Sequence, residues 1–468
     1  MSEDKEYMTV AHSPAAGGTA YSAACGRLFS LGRGLGLSLP RGAGRAPAVA
    51  VGQGGEPTGD MLTSALAAGL YSTGADVLPL GTVPSPAVSF LVTRYKAAAG
   101  VWVGGQEDAD PILFDETGVR CCGMPEAEPA ADTPSYLPGR LLPRRLAAED
   151  YVSHLLAQSE VSLLGMRLVV DCAGGTAAMT ARRLFTSLEA ECVFLGEPAP
   201  PEDCRQTESY RRGNVKHDSV ESIEQLAELT TRLKYFGGVS FSPDGSRCVM
   251  VDEQGNRLDS EWLLAALAYD KKEKGCLPGC RVAVESGVNG GLLRFLKEQG
   301  IAYDLVEGSG RLWEALHLSG AVLAGDGRGR VLDASCSHLF DGQLAALQVL
   351  TLCRERGWKL SRVSSLMERL PEVTVSVRAD AEARSRFRAD ETLRGVIAEA
   401  NRALGGEGRI RAEASRTEPL IFVMAEGRDF DELNRLAVRL AKEIAVAVGA
   451  PEQEPVQRVP EGETGAGR

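Results

Sequence analysis

Four short stretches concentrate the side chains able to do chemistry. GGQEDADP (104–111) closes an apolar run with a double glycine and then turns acidic, with no serine, histidine or lysine. Its Glu107, Asp108 and Asp110 repel a phosphate dianion at close range. A carboxylate nucleophile at Asp108 or Asp110 would lack a nearby cation to stabilise a phosphoryl group. SPDGSR (242–247) offers one carboxylate, Asp244, between two hydroxyls, which is a poor donor set for magnesium and also a common turn signal. Arg247 can meet an anion there or close a salt bridge. GDGRGR (325–330) joins Asp326 to Arg328 and Arg330, whose forks suit phosphate or carboxylate, with a flexible charged turn as the alternative. EASRTEP (413–419) brings Ser415, Arg416 and Thr417 together, a set that suits phosphate, opposed by Glu413.

Alternating strands and helices position these stretches. APAVAVG (46–52) reads as a buried strand, MLTSALAAGLYSTG (61–74) as a helix ending in glycine, and ADVLPLG (75–81) as a strand. VPSPAVSFLVTRYK (83–96) and AAGVWVGG (98–105) continue the rhythm, so the acidic loop leaves the end of a strand. The pattern restarts at MRLVVDCAGG (166–175) and at CRVAVESG (280–287), which implies parallel pairing in three units of similar form. A Pro- and Ala-rich connection (124–143) separates the first two. From about Leu370 the order becomes strand, helix, polar turn, strand and long helix, a smaller α+β unit, and the charged tail 451–468 is expected to be disordered.

The chain has 468 residues, too many for one ordinary core, and suits three or four domains of roughly 100 to 150 residues. With 63 acidic against 51 basic residues and a net charge of -12, it is not expected to bind nucleic acid. No run approaches a membrane span or a signal peptide, so a cytoplasmic protein is expected. Eleven scattered cysteines suit reduced thiols, and neither Cys121–Cys122 nor Cys276–Cys280 has the second pair that a zinc site needs.

The order of landmarks resembles the α-D-phosphohexomutases, the superfamily of phosphoglucomutase, phosphomannomutase and phosphoglucosamine mutase. The matching segments are VAVGQGGEPTGDMLTSALAAGLYSTGADVLPLGTVPSPAVSFLV, VVDCAGGTA (169–177), GVSFSPDGSRCVMVDEQGNRLD (238–259), SGAVLAGDGRGR (319–330), LFDGQLAALQVL (339–350) and SRTEPLIFVMAEG (415–427). The resemblance implies an α/β fold of four domains around a central cleft. Three are α/β domains with mixed, mainly parallel sheets, at 1–145, 146–259 and 260–368, and the fourth is a smaller C-terminal α+β domain at 369–450. It also implies phosphoryl transfer between two hydroxyls of a phosphosugar, through a phosphoserine in the first domain and a magnesium ion in the second. The third domain would carry a sugar-binding loop and the fourth a phosphate-binding loop.

Each loop departs from the family pattern. Gln106 falls at the phosphoserine and Glu107 at the neighbouring histidine, and an amide cannot carry a phosphoryl ester. Of three magnesium-binding aspartates only Asp244 remains, so no magnesium is expected, while Arg247 keeps the position of the family's arginine. Asp326 stands for the sugar-binding glutamate, with Arg328 and Arg330 at the serine and histidine positions. In the phosphate loop Ser415, Thr417, Glu418 and Pro419 persist, Glu413 replaces an arginine, Arg416 a glycine, and Phe422 stands where the family often has another arginine. Gln53, Gly54 and Glu56 replace a charged VGRDGRPSS-like segment, and the family's N-terminal FGTSGIRG-like strand has no counterpart. The expectation is therefore a phosphohexomutase fold without its reaction, catalytically silent at Gln106. It would bind a sugar phosphate or another anion through Arg247, Asp326, Arg328, Ser415, Arg416 and Thr417, or a protein partner such as an active mutase, as a monomer or homodimer. The alternative is an active intramolecular phosphotransferase interconverting hexose 1-phosphate and 6-phosphate with an atypical site.

Overall fold

Valine-rich runs bounded by glycine or proline form the strands, since β-branched side chains pack well on a pleated surface, and the alanine- and leucine-rich segments between them form helices. A computed structural model of the protein describes residues 17–41, 46–56, 58–104, 111–121, 137–159, 161–196, 220–404, 408–415, 418–450 and 456–458. The chain divides into two compact units, 1–287 with 301–366, and 288–300 with 367–468.

The first unit holds three sheets. α1 (Gly17–Ser38), β1 (Ala48–Gln53), α2 (Gly59–Ser72), β2 (Asp76–Thr82), α3 (Ser85–Tyr95), β3 (Ala99–Val103) and β4 (Ile112–Phe114) come first. Their sheet has the order β2-β1-β3-β4, parallel except for β4. Next come α4 (Ala147–Leu156), β5 (Arg167–Asp171), α5 (Ala178–Ser187), β6 (Glu191–Leu195), α6 (Val220–Leu233), β7 (Gly237–Phe241), β8 (Cys248–Asp252) and β9 (Arg257–Leu258), with sheet order β6-β5-β7-β8-β9. The last set is α7 (Ser260–Glu273), β10 (Arg281–Glu285), β11 (Ala302–Val306), α9 (Leu312–Ser319), β12 (Leu323–Gly325), β13 (Val331–Asp333), α10 (Gly342–Arg356) and α11 (Leu360–Ser364), with order β11-β10-β12-β13, while α8 (Gly290–Glu298), between β10 and β11 in the chain, falls in the second unit. In every sheet three parallel strands are followed by antiparallel pairing at one edge. The architecture is α/β with mixed, mainly parallel sheets, repeated three times.

Helix α1 was not evident in the sequence, because its glycines argue against a helix. Two of them, Gly32 and Gly36, are contact residues. A Cβ on Gly32 would lie 2.2 Å from the Leu66 carbonyl oxygen, and one on Gly69 of α2 would lie 2.1 Å from that of Phe29. Leu28, Leu31 and Leu35 complete the seam over Leu66 and Leu70. Gly69→Ala is expected to lower stability by about 2 kcal/mol or more through overpacking, although alanine is the better helix former. Gly26→Ala in the same seam's outer face, where nothing lies within 4 Å, is expected to raise it by about 0.5–1 kcal/mol. Thermal melts of the two variants check the opposite signs.

The second unit carries β14 (Glu372–Arg378), α12 (Ala381–Ala389), α13 (Glu391–Ala403), β15 (Gly408–Ala414), β16 (Leu420–Gly427), α14 (Phe430–Ala447) and β17 (Val456–Arg458). Its antiparallel sheet has the order β15-β16-β14-β17, and the apolar face of α14 covers Val373, Val375, Ile421 and Val423. Several details differ from the sequence reading, among them β15, which stands where a polar turn is expected. Helix α8 belongs to this unit, tied by Gly290 N–H to Glu426 Oε2 at 3.0 Å and by Asn289 Nδ2 to the Leu370 carbonyl at 3.0 Å. The tail expected to be disordered contains β17, which pairs Val456 to Arg458 with Ser376 to Thr374 because an open edge of β14 accepts a short extended segment.

Candidate functional site

In the first sheet β1 and β3 end side by side, and Gly54 N–H donates to the Val103 carbonyl at 2.8 Å. The Trp102 indole N–H donates to the Val83 carbonyl at 2.9 Å, which fixes the exit of β3 against the turn before α3. Gln106 itself lies outside the described residues, as do Arg416 and Thr417. Gln53, the last residue of β1, binds the following helix α2: its amide donates to Asp60 Oδ1 at 2.7 Å and accepts from Thr63 Oγ1 at 2.9 Å.

The loop 242–247 joins β7 to β8 and closes on itself. Asp244 Oδ1 accepts from Ser242 Oγ at 2.6 Å and from Ser246 N–H at 3.1 Å, while Arg247 N–H donates to Ser242 Oγ at 3.0 Å. Burial alone would raise the Asp244 carboxyl, but the bonds from Ser242 and Ser246 and the Arg247 charge outweigh it, and the net shift is downward. Its backbone carbonyls are bound by three separate segments. Thr176 N–H and Oγ1 both reach the Pro243 carbonyl at 2.9 Å, Ser85 N–H reaches that of Asp244 at 2.9 Å, and Gly342 N–H reaches that of Gly245 at 3.0 Å. Gly245 holds φ at +76°, and a Cβ there would meet Pro84 at 2.7 Å. The loop is thus a junction between the first three sheets' surroundings.

The loop 325–330 lies against it, since Cys248 N–H donates to the Gly329 carbonyl at 3.0 Å. Asp326 is 1% exposed, and its Oδ1 accepts from Arg328 N–H at 2.9 Å and Arg330 N–H at 3.0 Å. Burial raises its carboxyl, which the Arg330 charge and the two N–H donors oppose without cancelling. Asp326 therefore folds its own turn, as Asp244 does, while the Arg328 side chain is exposed. The sequence candidates Asp244, Arg247, Asp326 and Arg328 come together at one place. Among the described residues Ser85 Oγ, Ser246 Oγ, Arg247 Nε and Asp326 Oδ2 there are buried without a hydrogen-bond partner, a mixed set of donors and acceptors, although Asp326 Oδ2 lies 3.9 Å from Arg330 Nη1 in an ion pair. No group of three or more His, Cys, Asp or Glu among the described residues is arranged to hold a metal ion.

In the second unit Ser415 follows β15, and its Oγ accepts from Glu418 N–H at 3.0 Å. Glu413 is exposed and pairs across the sheet with Phe422. Sequence reasoning missed Arg384 and Arg388 of α12, whose guanidinium groups approach the Ser415 carbonyl at 2.7 and 3.4 Å. Their spacing of four is visible in the sequence, but not the carbonyl that they share.

Comparison with known proteins adds the following. Residues 24–108 match the model of "Phosphoglucomutase/phosphomannomutase, alpha/beta/alpha domain I", and residues 372–443 match that of the "Phosphoglucomutase/phosphomannomutase, C-terminal domain". A phosphoglucosamine mutase of Thermoanaerobacter sp. (strain X514) is 31% identical over 430 residues, covering 88% of this chain and 93% of that protein. A phosphoglucomutase/phosphomannomutase family protein from Burkholderia thailandensis superimposes with a TM-score of 0.75 at 19% identity, over 92% of this chain and 95% of that one. The Aspergillus fumigatus N-acetylphosphoglucosamine mutase, solved with GlcNAc-6P and magnesium, gives a TM-score of 0.59 at 16% identity, over 87% and 78%.

Proposed function

Because the chain belongs to the α-D-phosphohexomutase superfamily, we propose that it is a phosphosugar-binding member that does not transfer phosphoryl groups. One observation carries this reading: the surviving carboxylate of the magnesium loop, Asp244, is committed to Ser242 and Ser246 within its own turn. Magnesium demands hard oxygen ligands in near-octahedral geometry, and one carboxylate already accepting two hydrogen bonds does not fit that demand. The charge neutralisation that the ion supplies in the family has no holder here. Gln106 at the nucleophile position points the same way, since an amide forms no phosphate ester. Ser85 Oγ, Ser246 Oγ and Arg247 Nε, buried without hydrogen bonds, suit a hydroxylated ligand, which both donates and accepts. In this role the protein acts in the cytoplasm, by sensing a sugar phosphate or another anion or by binding a protein partner such as an active mutase, as a monomer or homodimer. No helix among the described residues is long and apolar enough to cross a membrane.

The relatives' names favour a second reading, an active intramolecular phosphotransferase, with glucosamine phosphates as the first substrates to try. That reading requires a nucleophile other than Gln106 and oxygen ligands beyond Asp244. The deciding experiment incubates the purified protein with magnesium, glucose 1,6-bisphosphate and glucosamine, glucose or mannose 1-phosphate, following conversion and protein-bound phosphate. Binding without turnover or labelling is expected. Turnover at the rate of an ordinary mutase overturns the non-catalytic reading and establishes the second.

A further inference from the structure

We propose that a cavity at the junction of α3, α4 and the segment before α10, apart from the four loops described above, binds a compact amine in its ammonium form. Its volume is about 190 Å³, and a cavity of about 150 Å³ suffices for one benzene ring. Thr93 and His338 on its wall are exposed, whereas Tyr151 and Asp341 are buried, so it runs inward from the surface. Phe90 supplies apolar wall, and the His154 ring stacks on it with centroids 4.1 Å apart. Among the described residues no lysine or arginine lines the cavity.

The polar side chains of the wall spend their donors within the protein. On α3, Ser89 Oγ donates to the Gly118 carbonyl at 2.5 Å and Thr93 Oγ1 to that of Phe90 at 2.8 Å. On α4, the Tyr151 hydroxyl donates to Asp341 Oδ2 at 2.7 Å, and His154 Nε2 meets the Cys336 carbonyl at 3.2 Å. Before α10, Ser337 Oγ donates to the Leu339 carbonyl at 2.8 Å, His338 Nδ1 meets the Thr117 carbonyl at 2.7 Å, and the Cys336 thiol turns to Asp333 Oδ2 at 3.8 Å. A carbonyl only accepts, so each imidazole carries its proton on the nitrogen named and, in the neutral ring, keeps a lone pair on the other. Burial lowers the His154 pKa and favours that neutral ring, against the bond to the Cys336 carbonyl. The wall therefore offers acceptors: imidazole nitrogens, hydroxyl oxygens and the Asp341 carboxyl. An anion finds no donor there, and a ligand must bring its own. An ammonium brings three and is attracted to the face of Phe90, while its apolar frame fills the remaining space. The same elements hold the loop 242–247, through Ser85 N–H at the start of α3 and Gly342 N–H at the start of α10, so an occupant braces the candidate site from outside it.

Three ligands on one frame, benzylamine, benzyl alcohol and benzoate, test the site by calorimetric titration and ligand-observed NMR of the full chain. Benzylamine is expected to bind about tenfold more tightly than benzyl alcohol, through the charge-assisted bonds that only the ammonium makes, and benzoate is expected not to bind. His154→Phe and His338→Phe keep a ring but remove the acceptor; each should weaken benzylamine about tenfold and shrink its advantage over benzyl alcohol. His317→Phe removes an exposed histidine of α9 that bonds the Trp313 carbonyl at 3.2 Å and does not line the cavity; it should leave the affinity within about twofold. The exposed position of His338 keeps the test open if His154→Phe misfolds. Benzoate binding as tight as benzylamine, no benzylamine binding by the wild type, unchanged affinity in both lining variants, or an equal loss in His317→Phe overturns the proposal. Competitive displacement of benzylamine by glucosamine 6-phosphate also overturns it, by placing the amine at the phosphosugar loops. None of these outcomes depends on whether the protein turns over hexose phosphate, so this proposal and the non-catalytic reading stand or fall separately.

Discussion

Gln106→Ser will yield no phosphoenzyme and no mutase turnover, because the loop 242–247, with Asp244 as its one carboxylate, does not hold the ion that must neutralise the phosphate. Removing a covalent nucleophile suppresses an enzyme by on the order of 10⁶-fold, and the reverse substitution recovers that factor only where the rest of the machinery stands. Adding Ser242→Asp and Ser246→Asp restores three carboxylates at the family's spacing, and the expected cost is visible before any activity is. Ser242 is fully buried, donates to Asp244 and accepts from Arg247 N–H. A carboxylate there faces another carboxylate in a buried turn, for an expected loss of about 2–4 kcal/mol without metal. Magnesium at about 100 times its dissociation constant should return about 2.7 kcal/mol. The measurement is the melting temperature with and without millimolar magnesium: rising in the triple variant, constant in the wild type. A wild-type melting temperature that climbs several degrees with magnesium would show that the loop already holds the ion.

How far the fold was legible depended on what each segment packs against. Strands β1 and β3 were evident because both faces are apolar, and α2 because its pattern ends at Thr73 and Gly74, where φ is +81°. Helix α1 was not, because the glycines that weaken it locally are required by its close approach to α2, which only the tertiary contact reveals. Strand β15 resembles a polar turn in sequence, since Arg409, Arg411 and Glu413 alternate with the inward Ile410, Ala412 and Ala414 and mask them. At the site, the PDG signal identified Asp244 as a turn residue from local chemistry alone. The burial of Asp326 and the convergence of Arg384 and Arg388 depend on segments distant in sequence, so residue types could nominate them but not assign their partners.

Asp341→Asn should stabilise the protein at neutral pH and have progressively less effect as the pH falls towards 4. Asp341 is 3% exposed and caps α10, its Oδ1 accepting from Leu344 N–H at 3.0 Å, while Oδ2 accepts from the hydroxyl of the buried Tyr151 of α4 at 2.7 Å. Burial pushes its carboxyl from 3.8 up to about 6, against the opposing bonds from Leu344, Tyr151 and Gln343. A folded-state value above the unfolded one means that the folded protein binds more protons between about pH 4 and pH 6. This group's contribution is therefore most favourable below pH 4 and is lost as the pH rises through 6. Keeping the buried carboxylate ionised at pH 7 costs up to about 3 kcal/mol. Asparagine keeps the shape and an oxygen for the cap but cannot ionise. Nearby His154, stacked on Phe90 with ring centroids 4.1 Å apart, is lowered by burial and acts with the opposite sign: its contribution falls as the pH drops below 6.5. It is present in both proteins, so the difference between variant and wild type isolates Asp341. Tyr151→Phe removes the hydroxyl while Asp341 is still ionised and should cost about 1–3 kcal/mol at pH 7. Denaturant unfolding of the three proteins from pH 4.5 to 8 measures this, and an Asp341→Asn difference independent of pH would show that the carboxyl is ionised across the whole range.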